Sequence, residues 1–245
     1  MLNHTHQRYN APSRRAGARR HSRGFSIVEL LVGVAIGLFI LTGASLLYVN
    51  NLGNSRLLLI QARMDQDLRS AMDLITRDLR RGAYWVDSLK GTATTASAAT
   101  PNTYAAVSVS GSASAATIAY SYDDASSTTT NLDERTFGFR LTNTNPSFGR
   151  IEMDLGNSAG TGNWQAVTDV NIVSITEFSI TEEATAIDVS AACTATCTLG
   201  AGCPRITVRT YDIRLTGTSR VDPAMVRSLR SQVRVRNDAI AGACS

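Results

Sequence analysis

The residue types that most often perform catalysis are confined to one end of this 245-residue chain. All three histidines, His4, His6 and His21, lie within the first 24 residues, so residues 25–245 contain none. A region without histidine cannot build a Ser-His-Asp triad, a Cys-His pair or a histidine-ligated zinc site. We therefore expect no catalytic residues, no metal site and no cofactor, and we do not expect the chain to be an enzyme.

One acidic side chain lies inside an otherwise apolar run. Glu29 is the only charged residue in positions 25–49, which read FSIVELLVGVAIGLFILTGASLLYV. As a helix this run is about 37 Å long, enough to cross a bilayer core of about 30 Å. An acid near the centre of such a segment costs about 2.5 to 3.5 kcal/mol and usually marks function. Glu29 is therefore a candidate functional residue, which needs a cation as its partner wherever it leaves water.

The charges around the apolar run predict its orientation. Residues 1–24 contain six arginines and no acid, whereas the remaining residues contain 18 basic and 20 acidic side chains. Arginine before a spanning segment predicts an N-terminus in the cytoplasm and a C-terminal domain outside. A secretory signal has an apolar stretch of only about 7 to 15 residues, which disfavours that reading. A plain membrane anchor remains open, but it gives Glu29 no role.

The residues around the start of the apolar run carry a resemblance to a known signal. The stretch 23–30, RGFSIVEL, resembles the class III signal of type IV prepilins, in which a basic leader ends in Gly before an aromatic residue. The resemblance implies that a prepilin peptidase cleaves after Gly24 and methylates the new amine of Phe25. It also implies that Glu29 pairs, in a filament core, with the N-terminal amine of a neighbouring subunit.

Later segments narrow the resemblance. Gly37-Leu38, residues 73–84 (DLITRDLRRGAY) and residues 233–237 (VRVRN) are similar to PilW-type minor pilins. This implies a structural subunit that helps to prime a type IV pilus near its tip, with other minor pilins and the major pilin as partners. Its implied location is the inner membrane, as a single-pass protein with a periplasmic domain, and then the pilus at the cell surface. J-type pseudopilins of type II secretion are similar in the same regions and remain an alternative.

The apolar helix is predicted to continue beyond the membrane as an amphipathic helix. Apolar side chains recur at helical spacing, as expected for one buried stripe: Ile60, Met64, Leu68, Met72, Ile75 and Leu79. Gly82 is a plausible stop signal. We therefore divide the chain into a cleaved leader 1–24, an apolar half-helix 25–53 and an amphipathic half-helix 54–81.

Residues 82–245 are predicted to form a β-rich periplasmic domain. Within 91–130, a low-complexity segment, 28 of 40 residues are Ala, Ser or Thr, with a possible hairpin around Gly111. Strand-like runs follow at 136–142, 150–155, 170–180, 205–215 and 229–236. The expected fold is α+β and pilin-like, with one long N-terminal helix packed against an antiparallel sheet.

All four cysteines lie on the side of the apolar run that is predicted to be outside, where an oxidising periplasm favours disulfides. They are Cys193, Cys197, Cys203 and Cys244. Three pairings are possible. We favour Cys193 with Cys197 and Cys203 with Cys244, since the second bridge would tie the C-terminus to the start of the 205–215 strand.

A basic stripe near the C-terminus raises the possibility of binding to DNA or to another surface. Arg230, Arg234 and Arg236 alternate with Val233 and Val235, which places the arginines on one face of a strand. Such a stripe contacts phosphates in some proteins. Because stacking aromatic residues are scarce nearby, we expect the arginines to pair with acidic side chains and do not expect nucleic acid as a partner.

Overall fold

The computed structural model describes the main part of the chain after the leader. The described residues are 24–91, 100–112, 116–123, 135–145, 148–156, 162–193, 197, 202–242 and 244. The chain divides into two units, Met1–Gly53 and Asn54–Ser245. The leader, apart from Gly24, and parts of the low-complexity segment 91–130 lie outside the described residues, so the predictions made for them stay predictions.

The first element is a long helix, α1, which spans Ile27–Leu79 without interruption. Among the described residues it is the one helix long and apolar enough to cross a membrane. Its part in the first unit is exposed along its whole length, whereas its part in the second unit alternates between exposed and buried positions. The exposed part and the partly buried part lie where an apolar half and an amphipathic half were predicted.

The stripe predicted on the amphipathic half of α1 faces the core of the second unit. Met64, Leu68, Ile75 and Leu79 are fully buried and Met72 nearly so, whereas Ile60 at the start of the stripe is half-buried. These positions recur every three or four residues and therefore share one face. They pack in a single cluster with apolar side chains of the strands.

Nine strands follow α1 in the described residues. They are β1 (Val107–Ser110), β2 (Thr117–Ser121), β3 (Thr136–Asn145), β4 (Phe148–Asp154), β5 (Trp164–Ala166), β6 (Val173–Asp188), β7 (Arg205–Ser219), β8 (Val226–Arg234) and β9 (Ala239–Ala241). Every pairing between them is antiparallel. The α+β fold with one long helix and antiparallel strands is thus confirmed.

The strands form two sheets, where the sequence indicated one. The first sheet has the order β1-β2-β3-β4-β5, and the second has the order β6-β7-β8, with β9 pairing to the start of β7. Gly149 of β4 lies where the sheets approach, because an added Cβ would stand 2.0 Å from the carbonyl oxygen of Ile175 in β6. A side chain at this position would force the two sheets apart.

Glycine also allows the helix to lie close to the second sheet. A Cβ at Gly217 of β7 would stand 2.5 Å from Val173 Cγ2 and 3.2 Å from Leu68 Cδ2 of α1. Interiors are packed closely enough that even one added methyl group displaces its neighbours. Gly217 therefore allows the close approach of α1 to β7.

The disulfide pairing favoured from the sequence is wrong. Cys193 is bonded to Cys244, with their Cα atoms 5.4 Å apart, and Cys197 is bonded to Cys203. The C-terminus is tied to the start of β7 by β9, whose Ala239–Ala241 pairs with Arg205, Ile206 and Thr207. Backbone pairing between β9 and β7 thus holds the C-terminus at the start of β7, the role that we assigned to a Cys203–Cys244 bridge. Cys244 is instead bonded to Cys193, which follows β6 in the chain.

Candidate processing and assembly site

The predicted cleavage site lies just before the start of α1. Ser26 occupies the N-cap, since its carbonyl oxygen accepts the Leu30 N–H at 3.1 Å and its hydroxyl oxygen accepts the Val28 N–H at 3.3 Å. Gly24 and Phe25 precede the helix, and the Phe25 residue is 81% exposed. Nothing lies within 4 Å of the position that a Gly24 Cβ would take. The bond between Gly24 and Phe25 is therefore non-helical and open.

Ser26 is a residue that the sequence reasoning missed, although a signal for it was present. Ser26 and Glu29 have the S-x-x-E spacing of a capping box, in which the first residue caps the helix and the acid occupies the first turn. A carboxylate in the first turn also interacts favourably with the positive end of the helix dipole. The position of Glu29 is thus compatible with helix formation as well as with pairing between subunits.

Glu29 is exposed, and the ion pairs found among the described residues do not include it. The apolar side chains around it are exposed too, with Ile27 at 80% and Leu30 at 62%. Within the described chain, nothing covers this surface. Both the acid and its apolar surroundings are therefore available to a lipid phase or to other helices.

The apolar surface extends along the rest of the helix in the first unit. Large apolar side chains stay exposed through this stretch, most of them by more than half, among them Phe39, Leu47 and Val49. Monomeric soluble proteins rarely expose apolar patches larger than a few hundred Å². A continuous apolar surface of this kind is typical of a segment that contacts a membrane or another protein.

The predicted basic stripe is largely neutralised by acids of the same chain. Arg230 Nε donates to both carboxylate oxygens of Asp212 at 2.9 and 2.8 Å, and Arg234 Nη2 donates to those of Asp238 at 3.0 and 2.8 Å. The hydrogen bond from Arg230 lowers the pKa of the Asp212 carboxyl below its usual value. Arg236 lies beyond the end of β8 and is exposed.

A buried polar contact at the end of α1 was not indicated by the sequence. The hydroxyl of Tyr120 in β2 donates to Asp78, which is only 6% exposed, and Arg81 Nη1 lies 3.4 Å from the other oxygen of that carboxylate. Burial, together with the negative charge of Asp78, raises the pKa of Tyr120 well above 10. The contact joins the end of the helix to the first sheet and has a structural role.

An exposed apolar helix that begins just after an accessible Gly-Phe bond, followed by two antiparallel sheets, defines a pilin-like protein. The comparison with family models supports this class, because a prokaryotic N-terminal methylation motif matches residues 19–45. The chain belongs to the family described as prepilin peptidase-dependent protein B, whose model matches residues 57–235. No curated protein and no solved structure was found to match the chain.

These matches confirm the predicted resemblance of the chain to pilins and pseudopilins. The family description implies processing by a prepilin peptidase, and the apolar helix with its signal indicates anchoring in a membrane.

Proposed function

We propose that this chain is a minor pilin that helps to prime the assembly of a type IV pilus and lies near its tip. The single observation that carries the proposal is the first unit, an exposed apolar helix with the lone acid Glu29. A carboxylate among packed apolar helices requires a cation, because an unpaired buried charge is strongly destabilising. After cleavage behind Gly24, the amine of Phe25 in a neighbouring subunit would supply that cation.

The proposed partners are other minor pilins and the major pilin, which would cover the apolar helix in the filament. Before assembly, the inner membrane would cover the same surface. We place the N-terminus in the cytoplasm because of the six arginines in residues 1–24. The two disulfides of the second unit support a location of the C-terminal domain on the other side of the membrane, in an oxidising periplasm.

We propose no catalytic activity for the chain, which would act as the substrate of a processing enzyme. The alternative role of a minor pseudopilin in type II secretion rests on the same helix and the same signal. The two roles differ in the machine that the subunit serves.

A deletion strain separates these two roles. We expect loss of surface pili with normal type II secretion, and recovery of the pili when the parent chain is restored. Normal pili with impaired secretion would instead establish the pseudopilin role. If neither pili nor secretion changed, both assignments would be wrong.

Binding of DNA or another surface through the basic stripe is a weaker candidate. Arg230 and Arg234 are already held by Asp212 and Asp238, so the charge of two of the three arginines in the stripe is matched within the chain. Duplex DNA titrated into the detergent-solubilised chain at low salt is expected to show no binding. Binding that weakens upon Arg230→Ala or Arg234→Ala substitution would revive the candidate.

A further inference from the structure

We propose that Ser26 is a positioning residue for cleavage by the prepilin peptidase, because its hydroxyl keeps the carbonyl group of Gly24 out of the helix. The inference rests on the proposed processing after Gly24. It assigns to Ser26 a role separate from that of Glu29, which concerns assembly.

The Ser26 hydroxyl accepts a hydrogen bond from the backbone of the first helical turn. The N–H of Val28 donates to Ser26 Oγ at 3.3 Å. In an α-helix each N–H donates to the carbonyl oxygen four residues earlier, and for Val28 that oxygen belongs to Gly24. The Ser26 hydroxyl therefore accepts the hydrogen bond of the Val28 N–H, which would otherwise be donated to the Gly24 carbonyl oxygen and include that carbonyl in the helix.

That carbonyl is the group on which the cleavage reaction occurs. In peptide hydrolysis, water adds to the carbonyl carbon of Gly24, the bond to the Phe25 nitrogen breaks, and that nitrogen takes a proton to leave as the amine. Gly24 ends as a carboxylate. A peptidase must polarise the Gly24 oxygen, and an intrahelical hydrogen bond would occupy one of the two lone pairs of that oxygen and hold the scissile bond in the helix.

The sequence around Ser26 makes the alternative helix start accessible. Without the Ser26 hydroxyl, Gly24 is the next acceptable N-cap upstream, and alanine at position 26 would favour helix. The helix would then begin two residues earlier, with the scissile bond in its first turn. In the structure α1 instead begins at Ile27, and Gly24 and Phe25 stay outside it.

The test follows cleavage of the full-length chain in membranes by a limiting amount of prepilin peptidase, measuring the rate at which precursor becomes mature protein. We expect Ser26→Ala to slow cleavage about fivefold, in line with the usual strength of an N-cap. Ser26→Thr and Ser26→Asn retain a capping oxygen and should cleave at nearly the parental rate. Ile27→Ala, which leaves the cap intact, is the matched control.

The outcomes separate this inference from the proposed processing. If Ser26→Ala cleaves as fast as the parent, the positioning role is wrong while processing stands. If Ser26→Thr and Ser26→Asn are as slow as Ser26→Ala, the peptidase recognises serine itself and the capping argument is overturned. If the parent is not cleaved after Gly24, the processing proposal fails, and the role of Ser26 fails with it.

Discussion

At the scale of single residues, two carboxylates of this protein differ in burial and in whether they have a partner. Asp78 is buried and has Tyr120 and Arg81, whereas Glu29 is exposed and has no ion-pair partner among the described residues. Since an unpaired carboxylate is costly to bury, Asp78 fits a finished core and Glu29 fits a surface that becomes buried later.

Removal of the Tyr120 hydroxyl tests the buried pair. Tyr120→Phe should lower the free energy of unfolding by about 1 to 3 kcal/mol, because the Asp78 carboxylate would lose a hydrogen bond while remaining buried. Urea unfolding of the detergent-solubilised chain measures the change. Tyr84→Phe, at a more exposed tyrosine, is the control and should have little effect. Equal stability of Tyr120→Phe and the parent would show that the contact contributes nothing.

Acid should destabilise the protein through Glu152. This carboxyl is buried, which by itself raises its pKa, but hydrogen bonds from Arg140, Arg150 and Thr142 outweigh the burial and lower the pKa below 4.5. A carboxyl whose pKa is lowered by folding stabilises the fold at pH values above its pKa in the unfolded chain. This contribution is lost as the pH falls through its pKa in the folded protein. Unfolding free energies measured from about pH 6 down to about pH 3 should therefore decrease.

Two variants test whether Glu152 causes this pH dependence of the unfolding free energy. Glu152→Gln should flatten it, whereas Glu183→Gln, at an exposed acid on β6, should leave the parental dependence in place. An unchanged slope in Glu152→Gln would contradict the assignment.

At the scale of elements, periodicity in the sequence predicted those elements that have a clear apolar face. The stripe from Ile60 to Leu79 predicted the side of α1 that is buried from Met64 onward, and the alternation around Gly111 predicted the β1–β2 hairpin. The short strands β5 and β9 have three residues each, too few to show a period, and exist because a longer neighbour pairs with them. No local pattern reveals such partners.

The same limit explains the error in the disulfides. Cysteine spacing allowed three pairings, and the choice depends on how β9 pairs with β7, which brings the C-terminus beside Gly202 and Cys203 without a covalent bond. Likewise, the contact between Tyr120 and Asp78 joins residues 42 positions apart. The candidate processing site, by contrast, could be proposed from the sequence because its residues are contiguous.

The two disulfides should differ in their contribution to stability. The Cys193–Cys244 bridge closes a loop with a sequence separation of 51, whereas that of Cys197–Cys203 is 6. In the chain-entropy model these contribute about 4 and about 2 kcal/mol. The double variant Cys193→Ser/Cys244→Ser should therefore unfold at lower urea concentration than Cys197→Ser/Cys203→Ser. The reverse order, or a free thiol at Cys244 in the parent, would contradict this assignment.

At the scale of the whole molecule, the chain combines two units with different needs. The second unit buries a core of its own apolar side chains and contains both disulfides, whereas the apolar side chains in the described part of the first unit are exposed. Hydrophobic burial is the dominant favourable term in folding and in most protein association. We therefore expect the apolar side chains of the first unit to be buried against something outside the chain. This asymmetry agrees with the proposed role as a membrane-anchored subunit of a helical assembly.

The central claim is that Glu29 pairs with a neighbouring subunit during assembly, and Glu29→Gln tests it most directly. Glutamine keeps the size and hydrogen bonding of the side chain but removes its charge. The measurement is the amount of each variant that co-purifies with pilin partners from detergent extracts and that is recovered in sheared filaments. Gly24→Glu, expected to remain as an uncleaved membrane precursor, is the control for defective processing.

We predict that Glu29→Gln is inserted into the membrane and cleaved after Gly24 like the parent, with a mature chain that begins at methylated Phe25. It should nevertheless be lost from the filaments and from complexes with partner subunits. If Glu29→Gln is recovered with its partners as fully as the parent, pairing of charges does not drive the assembly of this subunit.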